Sequence, residues 1–365
     1  MVTDLLIKLA LAGAVLFMVL NLAGIQTWVE RKQSAVMQDR IGANRAYFAL
    51  PWGWAAPINW LLRKLGGLGL LHPVADVIKL LTKEDFIPST GQKFLHTLAP
   101  WISVFFAIVA FAAIPFGDSI TLSGRVVELQ VAHIDAALLF VLALASIGVY
   151  GVILAGMVSG TNLTSLGGLR AAAQMLAYEI ALGVSLVGVV LWYGTTDLQE
   201  MIRRQGDYLL GGWLPQWGVV VQPLACIVFM TAALAETKRV PFDLPEGEPE
   251  IIGYFTEYSG MKFGLFFLTD FVETVLVAAL TTVLFFGGWQ IPWLPADAFS
   301  PNVMALLGVG AFTLKVAFFL WLFMAIRWTL PRFRYDQLMN LGWKGLFPLS
   351  LANIALTGIL RLVVR

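Results

Sequence analysis

The sequence predicts an all-α polytopic membrane protein with eight transmembrane helices. Of its 365 residues, 59% are hydrophobic and 13% are charged, whereas a soluble domain is about 45–50% apolar and about 25% charged. The mean hydropathy is +0.79. Because a soluble fold of this length could not bury so much apolar surface, the composition predicts that the chain lies in a lipid bilayer.

Eight apolar stretches reach the roughly 20 residues that a transmembrane helix needs. No internal repeat relates them to one another, which argues against an inverted-repeat transporter. In chain order the stretches are Leu9–Trp28, Phe94–Phe116, Ile134–Val158, Ala173–Tyr193, Trp217–Ala235, Phe263–Phe286, Val303–Ile326 and Leu346–Val364.

The basic residues predict how the chain is oriented, because Lys and Arg concentrate in the cytoplasmic connections of membrane proteins. The connections after the first, third, fifth and seventh stretches carry 17 Lys and Arg, and the other connections and the termini carry 6 when Arg361 near the end of the last stretch is counted with the C-terminus. We therefore expect both termini in the periplasm. The whole chain, 1–365, is interpreted as one membrane domain with three notable cytoplasmic segments, 30–93, 236–262 and 327–344.

The first cytoplasmic connection, 30–93, is long enough for two amphipathic helices. Within 50–71, three tryptophans lie near two basic residues, which is typical of a segment in the membrane interface. Within 73–85, apolar residues recur at helical spacing opposite charges of both signs, which favours packing against protein. The residues of the first segment are Trp52, Trp54, Trp60, Arg63 and Lys64, and those of the second apolar face are Val74, Val77, Ile78 and Leu81.

Metal and nucleic-acid chemistry are poorly supported by the residue types present. Cys226 is the single cysteine, and the three histidines are scattered at His72, His96 and His133, so the chain cannot supply the ligands of an iron–sulfur cluster or a thiolate metal site. Lys and Arg number 24 against 23 Asp and Glu, which argues against a basic nucleic-acid-binding protein. Electrons for any redox reaction would come from another protein.

Ionisable residues within the apolar stretches are the first candidates for function. Each costs about 2.5–3.5 kcal/mol to insert. Asp270 and Glu273 share a helix face, and because two close carboxylates repel in a low dielectric, one is expected to hold a proton. Lys315 is expected to lie within water-bridged reach of Asp270, Glu273 or Glu179. These buried carboxylates can be interpreted in two ways: they transfer protons, or they only pair with Lys315 and hold the helices together. The candidates are Glu179, Glu236 immediately after the fifth stretch, Asp270, Glu273 and Lys315.

An acidic run follows the fifth apolar stretch. Two prolines and a glycine prevent a continuous helix over 245–249. In an extended backbone, alternate side chains point the same way, so three glutamates would cluster in a site that exchanges protons. A solvated acidic loop is the alternative. These glutamates are Glu246, Glu248 and Glu250.

Two further cytoplasmic segments combine charge with features that simple membrane anchoring does not require. In 30–45, Gly42 and Asn44 indicate a shaped turn that orients Arg40 and Arg45. In 327–339, aromatic residues and a Tyr-Asp-Gln run accompany the arginines.

Taken in order, these segments resemble the H subunit of proton-pumping NADH–quinone oxidoreductase, the respiratory complex I. The most specific matches are Pro241-Phe242-Asp243-Leu244 with its acidic continuation, and the run from Pro331 to Met339. Glu30–Arg45, 75–84, 169–179, 257–260 and 286–289 also match. The resemblance covers nearly the whole chain.

This resemblance implies a membrane subunit of the bacterial inner membrane that carries no redox centre and no metal or flavin. It would bind quinone as substrate. It would contact the hydrophilic arm, whose terminal iron–sulfur cluster supplies electrons, and it would also contact small membrane subunits. By matching position, the quinone chamber would involve Glu30, Arg31, Arg40, Asp76, Arg239, Phe242 and Asp243. The proton-coupling carboxylates would be Glu179, Glu236, Glu246, Glu248, Glu250 and Glu257, with Asp270 and Glu273, and the charged surroundings would be Lys315, Arg327, Arg332 and Arg334.

The sequence departs from the family pattern at several places, among them Ala43 where proline is usual and His72 where glutamine is usual, and two alternatives stay open. Asp270 and Phe271 stand where the family has Glu-Tyr, and about twenty extra residues lengthen 47–70. The first alternative is the equivalent subunit of a membrane-bound hydrogenase or related complex. The second is a free-standing ion transporter, which the elaborate cytoplasmic connections argue against.

Overall fold

The computed structural model describes residues 2–52, 55–89, 91–122, 125–209, 212–245, 252–294 and 299–364. In this part of the chain, helices dominate and the strands are short. The helices are α1 (Val2–Met37), α2 (Ala56–Leu68), α3 (His72–Thr82), α4 (Lys93–Val109), α5 (Ala137–Val158), α6 (Asn162–Tyr193), α7 (Leu198–Gln205), α8 (Gly218–Val221), α9 (Pro223–Glu236), α10 (Gly260–Phe285), α11 (Pro301–Thr329), α12 (Tyr335–Asn340) and α13 (Phe347–Val364).

Short irregular and extended pieces connect these helices. A 3₁₀ turn, Ala110–Ala113, extends α4, and a π-helical stretch, Leu341–Leu346, joins α12 to α13. Strand β1 (Ser119–Leu122) pairs antiparallel with β2 (Arg125–Glu128), so that Ser119 lies opposite Glu128. Strand β3 (Tyr208–Leu209) pairs in the same way with β4 (Leu214–Pro215).

Seven helices among the described residues are long and apolar enough to cross a membrane. They are α1, α4 with its extension, α5, α6, α10, α11, and α12 joined to α13. The predicted all-α polytopic fold is confirmed. The fifth predicted span differs, because it is split into α8 and α9 at Gln222.

The break in the fifth span has an identifiable cause and polar partners. Pro223 has no N–H and cannot continue a helix from α8. The 14 residues of α9 reach only about 21 Å at 1.5 Å per residue. Gln222 Nε2 donates to Thr357 Oγ1 at 2.8 Å, and Asn353 Nδ2 donates to Gln222 Oε1 at 3.0 Å. Both partners belong to α13, so this last helix supports the split span.

Helix α10 lies at the centre of the bundle. It contacts α1, α3, α4, α9 and α11, and most of its residues are buried. Helices α1 and α13 lie outside and keep large apolar side chains exposed, such as Phe17 and Leu362. An exposed apolar surface of this kind fits lipid tails or another protein.

Contacts between the connections define two ends of the bundle. We call one of them the charged end: it holds the C-termini of α1, α5, α9 and α11 and the N-termini of α4, α6, α10 and α12. Arg31–Asp76 and Lys262–Asp85 ion pairs join connections there. The Arg203–Asp118 pair and the Thr121–Asn302 hydrogen bond join connections at the opposite end.

Helices α2 and α3 form the two predicted amphipathic pieces, bent by 95° relative to one another. Trp28 Nε1 of α1 donates to the Leu68 carbonyl at 2.9 Å and ties α2 to the bundle. Leu80 of α3 packs closely against Gly264 of α10. The side chains of the predicted apolar face of α3 are about half exposed, so other parts of this chain do not cover that face. Packing of this face against another protein stays a prediction.

Candidate functional site

Glu30, near the end of α1, accepts hydrogen bonds from two arginines that are distant in sequence. Its Oε2 accepts from Arg239 Nη1 at 3.4 Å, and its Oε1 accepts from Arg327 Nη1. The Glu30 side chain is 14% exposed. Two guanidinium groups on one partly buried carboxylate hold together three segments of the charged end. We call these three residues the Glu30 cluster.

An aromatic and charged wall adjoins the Glu30 cluster. The Phe242 ring stacks on Phe333 with centroids 5.5 Å apart and lies 5.7 Å from the Tyr178 ring. The Arg239 guanidinium lies 4.2 Å from the centroid of the Phe271 ring. Asp243 pairs with Arg332 at 2.8 Å. These contacts place apolar ring faces beside cationic groups.

Segment 237–245 is fixed by a buried side chain of α6. Gln174 Nε2 donates to the carbonyls of Ala235 and Phe242, each at 2.8 Å. The Val240–Pro241 peptide is cis, and Phe333 N–H donates to the Pro241 carbonyl at 3.2 Å. The segment that carries Arg239, Phe242 and Asp243 is therefore held against α6 and 332–333.

The remaining residues predicted for the chamber lie farther along the charged end. Arg31 and Asp76 pair at 2.5 Å and join α1 to α3. Arg40 is exposed and donates to Gln38 and Ser34 close by in sequence. Gly42 has φ +74°, and a Cβ there would lie 2.7 Å from Ala35 Cβ, so the backbone turns tightly at this position. The structure thus brings Glu30, Arg239, Phe242 and Asp243 together, with Arg31–Asp76 as a separate pair.

Four carboxylates gather deeper in the bundle, and we call them the acid cluster. Glu236 and Glu273 line a narrow cavity of about 40 Å³ between α4, α5, α6, α9 and α10. A water needs about 10–15 Å³ by this measure, so a few waters fit. Glu236 lies close enough to Glu179 and Glu273 to interact with their charges. Glu179 also accepts a hydrogen bond from Ser146 of α5. The fourth member is Asp270, one helical turn from Glu273.

Lys238 is the cation of the acid cluster, and it was not among the predicted site residues. Its side chain is 1% exposed, and its Nζ donates to Asp270 Oδ1 at 2.9 Å and lies 3.9 Å from Glu273 Oε2. The ammonium also lies 5.3 Å from the Tyr254 ring centroid. Lys238 has φ +54°, a left-handed conformation that costs about 1–2 kcal/mol for a residue with a Cβ. The only sequence signal was a lysine two residues after Glu236.

Lys315 has partners other than the predicted ones. Its Nζ donates to the carbonyls of Phe286, Gly288 and Gln290 at 2.8, 2.9 and 2.7 Å. These three bonds use all three N–H groups of the ammonium, and the Trp217 ring centroid lies 4.6 Å away. The prediction of a carboxylate partner in α6 or α10 was wrong. Lys315 caps the C-terminus of α10, at the opposite end of the bundle.

The other predicted carboxylates are outside the acid cluster or outside the described residues. Glu246, Glu248 and Glu250 belong to 246–251, which the structure does not describe. Glu257 is half-buried, and among the described residues it has no hydrogen bond or ion pair to the acid cluster. Its neighbour Tyr258 stacks on His96 at 3.9 Å. Burial raises the pKa of the Tyr258 phenol well above its ordinary value.

Two arginines complete the charged end. Arg332 is already paired with Asp243, and Arg334 makes two hydrogen bonds to Asp336 at 3.0 and 2.8 Å. The described residues contain no group of three or more His, Cys, Asp or Glu side chains arranged to hold a metal ion.

The comparisons with known proteins agree with one another. A family model described as NADH dehydrogenase matches residues 9–358. The H subunit of NADH-quinone oxidoreductase from Thermomicrobium roseum is 46% identical over 356 residues, which cover 96% of this chain and 95% of that protein. The H 1 subunit of the same enzyme from Geobacter metallireducens is 44% identical over 356 residues, with 97% and 96% covered. The chain belongs to the family of NADH-quinone oxidoreductase H subunits.

Membership in the H-subunit family confirms the resemblance that the motifs indicated. This family consists of membrane subunits of an enzyme complex, and the seven long apolar helices agree with a multi-pass protein of the inner membrane. The H 2 subunit from Rhizobium meliloti, 44% identical over 334 residues that cover 91% of this chain and 90% of that protein, is assigned to the same enzyme. A free-standing transporter is therefore the weaker interpretation.

Proposed function

We propose that this chain forms much of a quinone-binding chamber at its charged end and couples quinone reduction to proton translocation through its acid cluster. In this proposal the chain works within NADH–quinone oxidoreductase. Hydrophilic-arm subunits oxidise NADH and deliver electrons to quinone from a terminal iron–sulfur cluster. Small membrane subunits adjoin it within the bilayer.

The observation that carries this proposal is the Glu30 cluster with its aromatic wall. Glu30 and Arg327 are 297 positions apart, yet they meet beside Arg239 and Phe242, which the family motif assigns to the chamber. A quinone head has two carbonyl oxygens on a flat ring. Guanidinium groups can donate to such oxygens, and stacked rings such as Phe242 and Phe333 offer apolar faces to a flat ring.

The acid cluster supports the second half of the proposal. Buried carboxylates in a membrane protein are costly and commonly mark proton pathways. Glu236 and Glu273 share a cavity that holds a few waters, and Glu179 lies close by. A proton can pass between such groups through water. Glu246, Glu248, Glu250 and Glu257 would extend this path toward the charged end.

We also propose that the charged end faces the cytoplasm and that both termini face the periplasm. The 17 Lys and Arg in the connections of that end support this orientation. It would place 30–93, 236–262 and 327–344 where a hydrophilic arm could dock. The hydrogenase alternative is weaker because the relatives described above are named for quinone.

The proposed chamber is tested by Glu30→Gln in the assembled complex. Leaving buried charges unpaired costs about 2–5 kcal/mol, and each 1.4 kcal/mol is a factor of ten. We therefore expect NADH-driven quinone reduction to fall by more than about tenfold. Electron transfer from NADH to a water-soluble artificial acceptor should be unchanged.

A photoreactive quinone analogue should label 237–245 of the parent complex, and excess quinone should prevent the labelling.

Asp118→Asn is the matched control, because Asp118 also pairs with an arginine, Arg203, at 3.1 Å but at the opposite end. This variant should retain quinone reduction. Equal losses in both variants, or loss of NADH oxidation by the artificial acceptor in Glu30→Gln, would contradict the proposed chamber.

A further inference from the structure

We propose that Lys238 is a positioning residue that controls the charge of the Asp270–Glu273 pair and links it to the segment that carries the quinone site. This inference rests on the proposed function and names a residue that the predicted site did not include. Three observations support it: the burial of the ammonium, the identity of its partners, and the place of Lys238 in the chain.

The Lys238 ammonium is the buried countercharge of two carboxylates. It lies 2.9 Å from Asp270 Oδ1 and 3.9 Å from Glu273 Oε2, with the lysine side chain 1% exposed. Buried charges of one sign are stable only when paired. With the ammonium in place, at least one carboxylate of this pair can stay ionised.

Lys238 and Arg239 connect two sites because they are neighbours in sequence. Lys238 reaches Asp270, whereas Arg239 reaches Glu30 and lies over the ring of Phe271. Asp270 and Phe271 are themselves adjacent on α10. One short stretch of backbone therefore presents two cations, one to the Glu30 cluster and one to the acid cluster. A shift of this stretch that moves Arg239 also moves Lys238.

Other groups around the ammonium belong to several elements. Glu236 stands two residues earlier at the end of α9, and Glu179 extends from α6. Asp270 and Glu273 face it from α10, and the Tyr254 ring lies 5.3 Å away. The surroundings are strongly acidic, and the Arg239 guanidinium also interacts with the charge of Glu273. The positions of these two neighbouring cations therefore decide how much negative charge this region can hold.

The chemical consequence is uptake and release of one proton. When the ammonium moves away, one carboxylate of the pair binds a proton from water in the adjoining cavity. When the ammonium returns, that proton is released to water. Only an O–H bond forms and breaks, and no oxidant or reductant is needed. The charge of the pair would thus follow the position of 237–245.

The test uses Lys238→Met in the assembled complex, with proton translocation measured per electron delivered to quinone. Met keeps the length of the side chain and removes its charge. Because removal of one partner leaves a buried charge unbalanced, the ratio of protons to electrons should fall below about half of the parent value. Lys238→Arg, which keeps the charge, should retain most of the ratio.

A double variant keeps the inference testable if Lys238→Met does not assemble. Lys238→Met with Asp270→Asn removes one charge of each sign, so it should assemble but still translocate few protons per electron. If Lys238→Met retains the parent ratio, the inference is overturned. If every variant loses assembly, quinone reduction and translocation in proportion, Lys238 is only structural, and the inference is again overturned.

Lys262→Met is the matched control. Lys262 is also a buried lysine that pairs with an aspartate, Asp85, at 3.0 Å, but this partner is 48% exposed and lies outside the acid cluster. The control should leave the ratio unchanged. Failure of the proposed chamber would appear as normal quinone reduction in Glu30→Gln, whereas failure of this inference appears in the proton ratio of the Lys238 variants.

Discussion

At the scale of single residues, Lys315 shows how a half-buried cation can bind backbone carbonyls instead of an acidic side chain. The last carbonyls of a helix have no partner within it and carry partial negative charge. The Lys315 ammonium donates to the carbonyl of Phe286, the C-cap of α10, and to the carbonyls of Gly288 and Gln290 in the chain that follows. It therefore fixes the turn at the end of the helix and supplies a donor to the C-cap carbonyl. Its role in this structure is to hold the end of the central helix.

Lys315→Met should therefore destabilise the complex more than it affects coupling. Three carbonyls would lose their donor, and a buried unsatisfied acceptor costs about 1–3 kcal/mol. The thermal unfolding temperature of the purified complex and its yield should both fall, while protons translocated per electron by the surviving complex stay unchanged. Lys8→Met, at an exposed position of α1, should change neither. A heat-stable Lys315→Met complex with poor translocation would contradict this prediction.

The two lysines also explain why sequence reasoning found some site residues and missed others. Buried carboxylates such as Glu179 and Glu236 stand out because they interrupt apolar stretches. The role of Lys238 depends on a left-handed backbone conformation and on partners 32 or more positions away, and a single sequence shows neither. The partners of Lys315 are backbone carbonyls, which every residue type has, so no residue pattern could reveal them.

At the scale of helices, α5 and α6 approach each other through glycine. A Cβ on Gly156 would lie 2.8 Å from both the Cα of Gly168 and the carbonyl oxygen of Thr164. Close packing of membrane helices depends on small residues of this kind. These two helices carry Ser146 and Glu179, so their spacing also sets the geometry of the acid cluster.

Gly156→Ala should push α5 away from α6. Backbone atoms on both helices would have to move, and overpacking of this kind costs about 1–3 kcal/mol. We expect a lower yield of assembled complex and a lower unfolding temperature. Gly183→Ala on α6 is the control, because a Cβ there meets nothing within 4 Å. Equal stability of the two variants would show that the α5–α6 contact tolerates a wider spacing.

The lengths of the apolar stretches predicted most transmembrane helices correctly, but they did not predict where a helix is interrupted. Seven predicted spans correspond to long helices, because burial of apolar surface alone decides their existence. The fifth did not, although Gln222 and Pro223 were visible within it. A glutamine next to a proline is compatible with a membrane span only when partners exist elsewhere in the fold, and those partners are in α13.

At the scale of the whole molecule, the two ends of the bundle differ in charge and in length of connections. The charged end holds the Glu30 cluster and the long segment with α2 and α3, and the opposite end holds short hairpins and the Lys315 cap. The central helix α10 connects the two ends of the bundle. It contributes Asp270 and Glu273 near the charged end, and its C-terminus is capped by Lys315 at the opposite end.

Labelling of introduced cysteines should establish which end faces the cytoplasm. Cys226 is buried and free, so Cys226→Ala gives a background without cysteine. Lys93→Cys lies at the charged end, and Trp213→Cys lies at the opposite end, where Trp213 is 76% exposed. In right-side-out vesicles, a membrane-impermeant maleimide should label Trp213→Cys only. In inverted vesicles it should label Lys93→Cys only, and the reverse pattern would overturn the proposed orientation.

The split fifth span has a consequence for how the chain is made. Ribosomes synthesise α8 and α9 well before α13, and Gln222 enters the bilayer before its partners Asn353 and Thr357 exist. During that interval its amide must be hydrated or held by the insertion machinery, because an unsatisfied amide in hydrocarbon is costly. The bundle therefore closes only when its last helix arrives. A chain whose translation stops before residue 353 would remain an open intermediate, and membrane proteases should remove it.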